Sequence, residues 1–186
     1  GTVIMKYAGI IYDDTAAAPG LSLTLFTQGC PFHCKGCHNP ETWDYEGGYE
    51  YTKETEQKIV EALTANGVMR NLCIMGGEPL LSHNIEPLYS LTRAVRDNYE
   101  DEIKIYLWTG FTTQELQELI KEHPDFADFL YMFDYIIDGR YEEDKRDVTL
   151  LMRGSTNQKI NRVVDRFCDE KELPLKNFEE EVYFPI

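Results

Sequence analysis

Three cysteines within eight residues constrain this chain more than any other feature. Cys30, Cys34 and Cys37 form a CxxxCxxC triplet that follows an apolar, β-rich run. Three thiolates held this close together are typical ligands for a soft metal, and three is one fewer than a closed tetrahedral site needs. The triplet therefore favours an iron-sulfur cluster with one open iron, or a zinc site that His33 or His38 completes.

The cysteine count also indicates the redox setting. The chain has five cysteines, an odd number, so a disulfide framework is not expected and the thiols suit a reducing, cytoplasmic compartment. Cys73 lies in an apolar run and is predicted to be a buried small hydrophobe, whereas nothing marks Cys168 as reactive.

Length and charge limit the function classes. The 186 residues and 42% hydrophobic content predict one globular domain over 1–186, with Gly1 to Ile4 either a cloning remnant or a natural extension before Met5. A net charge of −15, from 33 acidic and 18 basic side chains, argues against nucleic acid as a partner. No run approaches the roughly 20 apolar residues of a membrane span, and no secretion signal is evident, so no membrane partner is expected.

Strand and helix patterns alternate along the chain. Strands are predicted at residues 21–26, 72–75, 103–108 and 134–138, with helices at 52–66, at 85–99 and from a capping box formed by Thr112 and Glu115. This alternation predicts an α/β fold with a mostly parallel sheet. A complete eightfold barrel needs about 250 residues, so the prediction is a partial, open β/α barrel.

Ligands of parallel sheets bind at the carboxyl ends of the strands, and two such ends carry unusual residues. The cysteine triplet follows the first predicted strand, and Gly76, Gly77, Glu78 and Pro79 follow the second. Adjacent glycines allow close approach of the backbone to a ligand, although an ordinary tight turn also explains them. The two loops are predicted to enclose one ligand.

The third predicted strand contributes further candidates. Thr109, at its carboxyl end, is a candidate for the ligand pocket. Tyr106 and Trp108 alternate along that strand, and core packing is favoured over stacking on a ligand.

The triplet followed by the Gly-Gly-Glu-Pro turn resembles the radical S-adenosylmethionine enzymes. Residues 19–39 are similar to those of the glycyl-radical-enzyme activases, most of all the group that acts on anaerobic ribonucleotide reductases. That group also shares Asp138-Gly139-Arg140 and residues 153–158, and the resemblance covers about residues 7–160. Residues 153–158 lie after the last clear strand and are expected to dock the partner rather than only cap the fold.

The resemblance implies a cofactor set and its binding residues. Cys30, Cys34 and Cys37 would hold a 4Fe-4S cluster, and the amino and carboxylate groups of S-adenosylmethionine would chelate the fourth iron. Gly76, Gly77 and Glu78 would line the methionine amino group, with Thr109 nearby. Gly36, Cys37 and His38 would lie near the adenine; many relatives have an aromatic residue where this chain has Gly36.

The resemblance also implies the reaction and its partners. Reductive cleavage of S-adenosylmethionine would give a 5'-deoxyadenosyl radical, which takes hydrogen from a glycine in the glycyl-radical loop of the anaerobic ribonucleotide reductase large subunit. An electron donor such as flavodoxin is implied. No side-chain catalyst is expected beyond the cluster ligands, and positioning is expected to dominate.

Three alternatives stay open at this point. The first alternative is that the chain is an activase of another glycyl radical enzyme such as pyruvate formate-lyase. The second is that it catalyses a small-molecule reaction like that of 7-carboxy-7-deazaguanine synthase. The third alternative is a non-catalytic zinc or cluster module that binds a partner and releases no 5'-deoxyadenosine.

Quantitation of metal and sulfide distinguishes a cluster from zinc. Protein purified without oxygen is expected to contain iron and acid-labile sulfide, because three thiolates alone leave a zinc tetrahedron incomplete. Elemental analysis that finds one zinc per chain and no labile sulfide would contradict the cluster.

Overall fold

Strands and helices alternate through most of the chain, as the sequence patterns predict. The computed structural model describes residues 3–163 and 175–177. The strands are β1 Lys6–Asp14, β2 Ser22–Thr27, β3 Tyr49–Glu50, β4 Asn71–Gly76, β5 Ile105–Trp108, β6 Tyr135–Asp138, β7 Lys159–Val163 and β8 Leu175–Asn177. The helices are α1 Lys53–Ala62, α2 Ser82–Tyr99, α3 Thr113–Glu122 and α4 Asp125–Leu130.

All eight strands form one mixed sheet in the order β3-β1-β2-β4-β5-β6-β7-β8. The four central strands, β2, β4, β5 and β6, are parallel neighbours, which confirms the predicted βα cycles. The flanking pairs are antiparallel, so the parallel prediction holds only for the centre of the sheet. The fold is therefore α/β with an open sheet.

Side-chain caps mark where two of the helices begin. Thr112 and Glu115 form the predicted capping box at the start of α3, and Thr52 with Thr55 forms another at the start of α1. The second helix begins earlier than predicted, at Ser82, so Pro87 lies inside it, where the missing backbone N–H removes one intrahelical hydrogen bond.

The two faces of the sheet are covered unequally. On one face, residues from all four helices pack against alternate strand residues such as Leu25, Ile74 and Leu107 to form the main core. Among the residues that the structure describes, the opposite face carries a small cluster around Cys73, Tyr106 and Ile137. This sparsely covered face leaves room for a cavity.

Cys73 belongs to the small cluster and is fully buried, as predicted. Burial raises the pKa of its thiol to about 12, so it is inert as a nucleophile at neutral pH. Tyr106 is also buried, which confirms core packing for that residue. Cys168 lies outside the described residues.

No helix among the described residues is long and apolar enough to cross a membrane.

A nearly buried arginine joins α2 to two neighbouring segments. The Arg96 guanidinium donates hydrogen bonds to the carbonyl oxygens of Ile103 and Met132, at 2.9 and 2.6 Å. It also pairs with the Asp134 carboxylate at 2.8 Å, and both side chains are only 11% exposed. The same carboxylate accepts the Ile105 amide, so this network fixes where β5 begins.

Removing this arginine should destabilise the fold. Arg96→Leu removes the Arg96 ion pair from the nearly buried Asp134 carboxylate, which is expected to lower the free energy of unfolding by about 3–5 kcal/mol. The matched control is Arg93→Leu on the same helix, which removes one exposed cation–π contact with Tyr89 worth about 0.5–1 kcal/mol. Urea unfolding followed by circular dichroism measures both; equal losses would contradict the role assigned to Arg96.

Candidate functional site

The predicted cofactor residues gather around one cavity at the carboxyl ends of the parallel strands. The cavity has a volume of about 420 Å³. Its lining includes most of the predicted site residues: Cys30, Cys34, Cys37, His38, Gly76, Gly77, Glu78 and Thr109. This volume falls within the range of about 300–1,000 Å³ that is usual for small-molecule sites.

The cysteine loop follows β2, and its three thiols are partly buried. Burial raises the pKa of Cys30, and the nearby Glu78 carboxylate adds to this. Burial also raises the pKa of Cys34, and its neighbour Cys37 adds to the effect. Cys30 and Cys34 are therefore poor thiolates by themselves, and a cationic iron centre beside them would reverse that balance.

The two histidines of the loop differ in position. His33 stacks on Trp43 with ring centroids 4.5 Å apart and does not line the cavity, whereas His38 lines it beside Tyr141. Within residues 3–163, no three His, Cys, Asp or Glu side chains converge closely enough to hold a single metal ion. Zinc would need four such ligands on one atom, whereas a cluster lets each cysteine bind a different iron.

The diglycine turn packs directly against the start of the cysteine loop. Gly76 has a φ of 125°, and a Cβ there would collide with the backbone of Thr27. A Cβ on Gly77 would collide with the carbonyl of Gly29. The Gly77 amide donates to the Thr27 carbonyl at 3.0 Å, and the Glu78 amide donates to the Gly29 carbonyl at 2.7 Å. The glycines are thus needed for close approach of two strand ends, and both turn amides already have partners in the protein.

Glu78 ties the turn to the end of β5. Its carboxylate accepts hydrogen bonds from the amides of Leu80 and Gly110, at 2.8 and 2.6 Å, and from the Thr109 hydroxyl at 2.8 Å. Burial raises its pKa to about 7, although these hydrogen bonds and Arg140 act in the opposite direction. Glu78 and Thr109 therefore act together in the wall of the cavity.

Gly36 lies in the cysteine loop but does not line the cavity. Its φ is 75°, and a Cβ there would lie 2.8 Å from the carboxyl group of Glu143. The predicted contact between Gly36 and adenine stays a prediction.

One wall of the cavity was not among the predicted ligand-binding residues, although residues 138–140 and 153–158, which overlap this wall, were noted as shared with the activases. Residues 139–158 connect β6 to β7 and contribute side chains such as Arg140, Tyr141 and Met152. Arg140 lies two residues after the end of the parallel strand β6, so the rule of strand ends was sufficient to identify it. Trp108 also lines the cavity, and its indole nitrogen donates to the Met152 carbonyl at 2.8 Å. The predicted core packing therefore describes only part of its surroundings.

The placement predicted for residues 153–158 was wrong in one respect. This segment precedes β7, so it does not lie after the last strand. The amides of Gly154 and Ser155 donate to the side-chain oxygen of Gln158, whose amide nitrogen donates to the Gly139 carbonyl. The segment thus closes the loop back onto the end of β6.

Comparison with known proteins places this geometry in context. A family model described as a 4Fe-4S single cluster domain matches residues 16–161. A Vibrio cholerae protein is 35% identical over 159 residues, which cover 85% of this chain and 98% of the relative. An Escherichia coli K12 protein is 30% identical over 160 residues, covering 86% and 99%. A protein of enterobacteria phage T4 is 31% identical over 156 residues, covering 84% and 93%. All three relatives are described as anaerobic ribonucleoside-triphosphate reductase-activating proteins.

The buried carboxyl group predicts a pH dependence of stability. Glu78 has a pKa of about 7 in the folded chain against 4.5 ordinarily, so between these values the native state holds a proton that the unfolded state has lost. The free energy of unfolding should therefore fall as pH rises through this window, by up to about 1.4 kcal/mol per pH unit. Glu78→Gln should remove this contribution to the slope.

Urea unfolding of metal-free, reduced protein at pH 5, 6 and 7 measures the two slopes. Glu78→Gln is also expected to be less stable at each pH, because its amide must face a donor, either Gly110 or Leu80. Equal slopes for both proteins would contradict the raised pKa.

Proposed function

This chain belongs to the family of anaerobic ribonucleoside-triphosphate reductase-activating proteins and carries a 4Fe-4S single cluster domain, and we propose from this premise that it generates a glycyl radical in such a reductase. The observation that carries the proposal is that Cys30, Cys34 and Cys37 line one cavity with the diglycine turn. A cluster and an S-adenosylmethionine molecule bound there would touch.

Three cysteines would hold three irons of the cluster and leave the fourth for S-adenosylmethionine. The reduced cluster would supply one electron that cleaves S-adenosylmethionine to methionine and a 5'-deoxyadenosyl radical, and transfer of a hydrogen atom from the partner's glycine would give 5'-deoxyadenosine and the glycyl radical. The chain itself supplies binding groups, orientation and exclusion of water.

Individual residues serve these tasks in the proposal. Gly76 and Gly77 let the turn approach the cysteine loop closely, so a methionine moiety bound beside the cluster would lie against the backbone of the turn. Glu78 and Thr109 hold the neighbouring strand end in place through their hydrogen bond. Arg140 and Arg153 give the cavity wall positive charge, which suits a carboxylate, and His38 with Tyr141 offers ring surface for an adenine.

The open sheet suits a protein substrate. We interpret it as a partial β/α barrel whose open side admits the glycyl-radical loop of the reductase large subunit. Hydrogen abstraction needs no acid or base, so holding that glycine close to the cofactor is the main requirement on the chain. An electron donor such as flavodoxin and a cytoplasmic setting complete the proposal.

An electron paramagnetic resonance assay tests the partner and the reaction together. A glycyl doublet should appear in the reductase only when this chain, S-adenosylmethionine and a reductant are all present. Release of 5'-deoxyadenosine in the same mixtures, measured by chromatography, separates a catalytic protein from a non-catalytic cluster or zinc module.

Cysteine variants provide matched controls. Cys34→Ala should abolish the doublet, because it removes a cluster ligand that lines the cavity. Cys73→Ala should keep it, since that thiol is buried in the small cluster away from the other three. A doublet of full intensity with Cys34→Ala would overturn the proposal. Release of 5'-deoxyadenosine without a doublet would instead point to another substrate.

A further inference from the structure

Phe32 lies within the cysteine loop, between Cys30 and Cys34, and it lines the cavity. Its ring brings together residues that follow three different strands. The loop itself follows β2, and the ring contacts residues that follow β5 and β6. The neighbouring His33 differs, because its ring stacks on Trp43, which lies six residues after Cys37 and not at a strand end.

A guanidinium covers one part of the ring. The Cζ atom of Arg140 lies 4.2 Å from the centroid of the Phe32 ring, well within cation–π distance. Arg140 is held in turn by Glu115, with 2.9 Å between Nη2 and Oε2. Glu115 belongs to the capping box of α3, so the cation is fixed to a rigid helix start.

Phe111 and Gly110 enclose the rest of the Phe32 ring. The Phe111 ring meets Phe32 edge to face, with centroids 5.2 Å apart and planes at 81°. A Cβ on Gly110 would lie 2.6 Å from Cδ2 of Phe32, closer than the two atoms can approach. The ring therefore occupies space that exists only because residue 110 is a glycine.

These contacts restrain the loop beyond its first residues. The start of the loop is hydrogen-bonded to the diglycine turn through the Gly29 carbonyl. Beyond Gly29, the Tyr141 backbone contacts Cys34, and Phe32 links the loop to the ends of both β5 and β6. The distance between the loop and the end of β5 thus depends on where the ring sits.

We propose that Phe32 is a positioning residue for the cluster: its ring, clamped by Arg140, Phe111 and Gly110, sets how far the cysteine loop stands from the ends of β5 and β6. The space left beside the cluster for S-adenosylmethionine follows from that separation. This inference rests on the proposed function for the identity of the ligand. The clamp itself consists of contacts within the chain and does not depend on that function.

A double-mutant cycle between Phe32 and Gly110 tests the clamp. In reconstituted protein with matched iron content, the change that S-adenosylmethionine causes in the paramagnetic resonance spectrum of the reduced cluster gives its dissociation constant. Phe32→Ala and Gly110→Ala should each raise that constant by about tenfold, the equivalent of ~1.4 kcal/mol. The double variant should be no weaker than Phe32→Ala alone, because the collision at position 110 disappears with the ring. His33→Ala should bind as the unmodified chain does.

A second readout needs no S-adenosylmethionine. The rate at which a chelator removes iron from the oxidised cluster should rise in Phe32→Ala and stay unchanged in His33→Ala. Phe32→Leu, which keeps bulk without a ring face, should fall between Phe32→Ala and the unmodified chain in both measurements.

The outcomes distinguish the inference from the function on which it rests. Unchanged binding and iron loss in Phe32→Ala, or additive effects of the two substitutions, would overturn the role of Phe32. A cluster in the unmodified chain that S-adenosylmethionine does not perturb would overturn the proposed function, and the iron-loss rates would still decide for or against the clamp.

Discussion

Two backbone hydrogen bonds hold the ends of β2 and β4 together, and the rest of the site is built on them. The Gly77 amide reaches the carbonyl of Thr27, and the Glu78 amide reaches that of Gly29. These bonds form only because the turn has no Cβ atoms at positions 76 and 77 that would push the cysteine loop away. The diglycine turn therefore serves the protein's own backbone first, and this close approach is what brings three cysteines to the turn.

Two further ties of different physical kinds join these loops to the end of β5. Glu78 makes the polar tie, and its hydrogen bonds are short, buried and directional, so they fix the orientation of the turn. Phe32 makes the aromatic tie, which depends on ring area and shape rather than on direction. Under the proposed function, the cavity holds a reactive cofactor and needs both kinds of contact. The hydrogen bonds of Glu78 fix the orientation of the turn, and the Phe32 ring fixes the distance between the cysteine loop and the end of β5.

The sequence predicted those parts of the molecule whose signals are local. Apolar runs identified the central strands, Thr112 and Glu115 identified the start of α3, and the rule of strand ends placed the cysteines beside Gly76 and Gly77. The antiparallel strands β1 and β7 were not predicted, because neither shows the alternation of buried and exposed residues that marks a strand in sequence. Arg140 and Phe32 were missed as a pair, since their contact joins residues 108 positions apart and no pattern along the chain records it.

The long wall of the cavity, residues 139–158, is fastened at its two ends and at Met152, whose carbonyl accepts the Trp108 indole N–H. Gln158 donates to the Gly139 carbonyl, and the Asn157 side chain donates to that of Arg140, so the two ends of this connection are pinned together beside the sheet. What lies between the pins adds no strand to the main sheet. Substitutions or changes of length at positions there that do not line the cavity should alter its mouth and leave the sheet intact. Under the proposed function, these positions can change with the partner, whereas Tyr141 and Arg153 cannot, because they line the cavity.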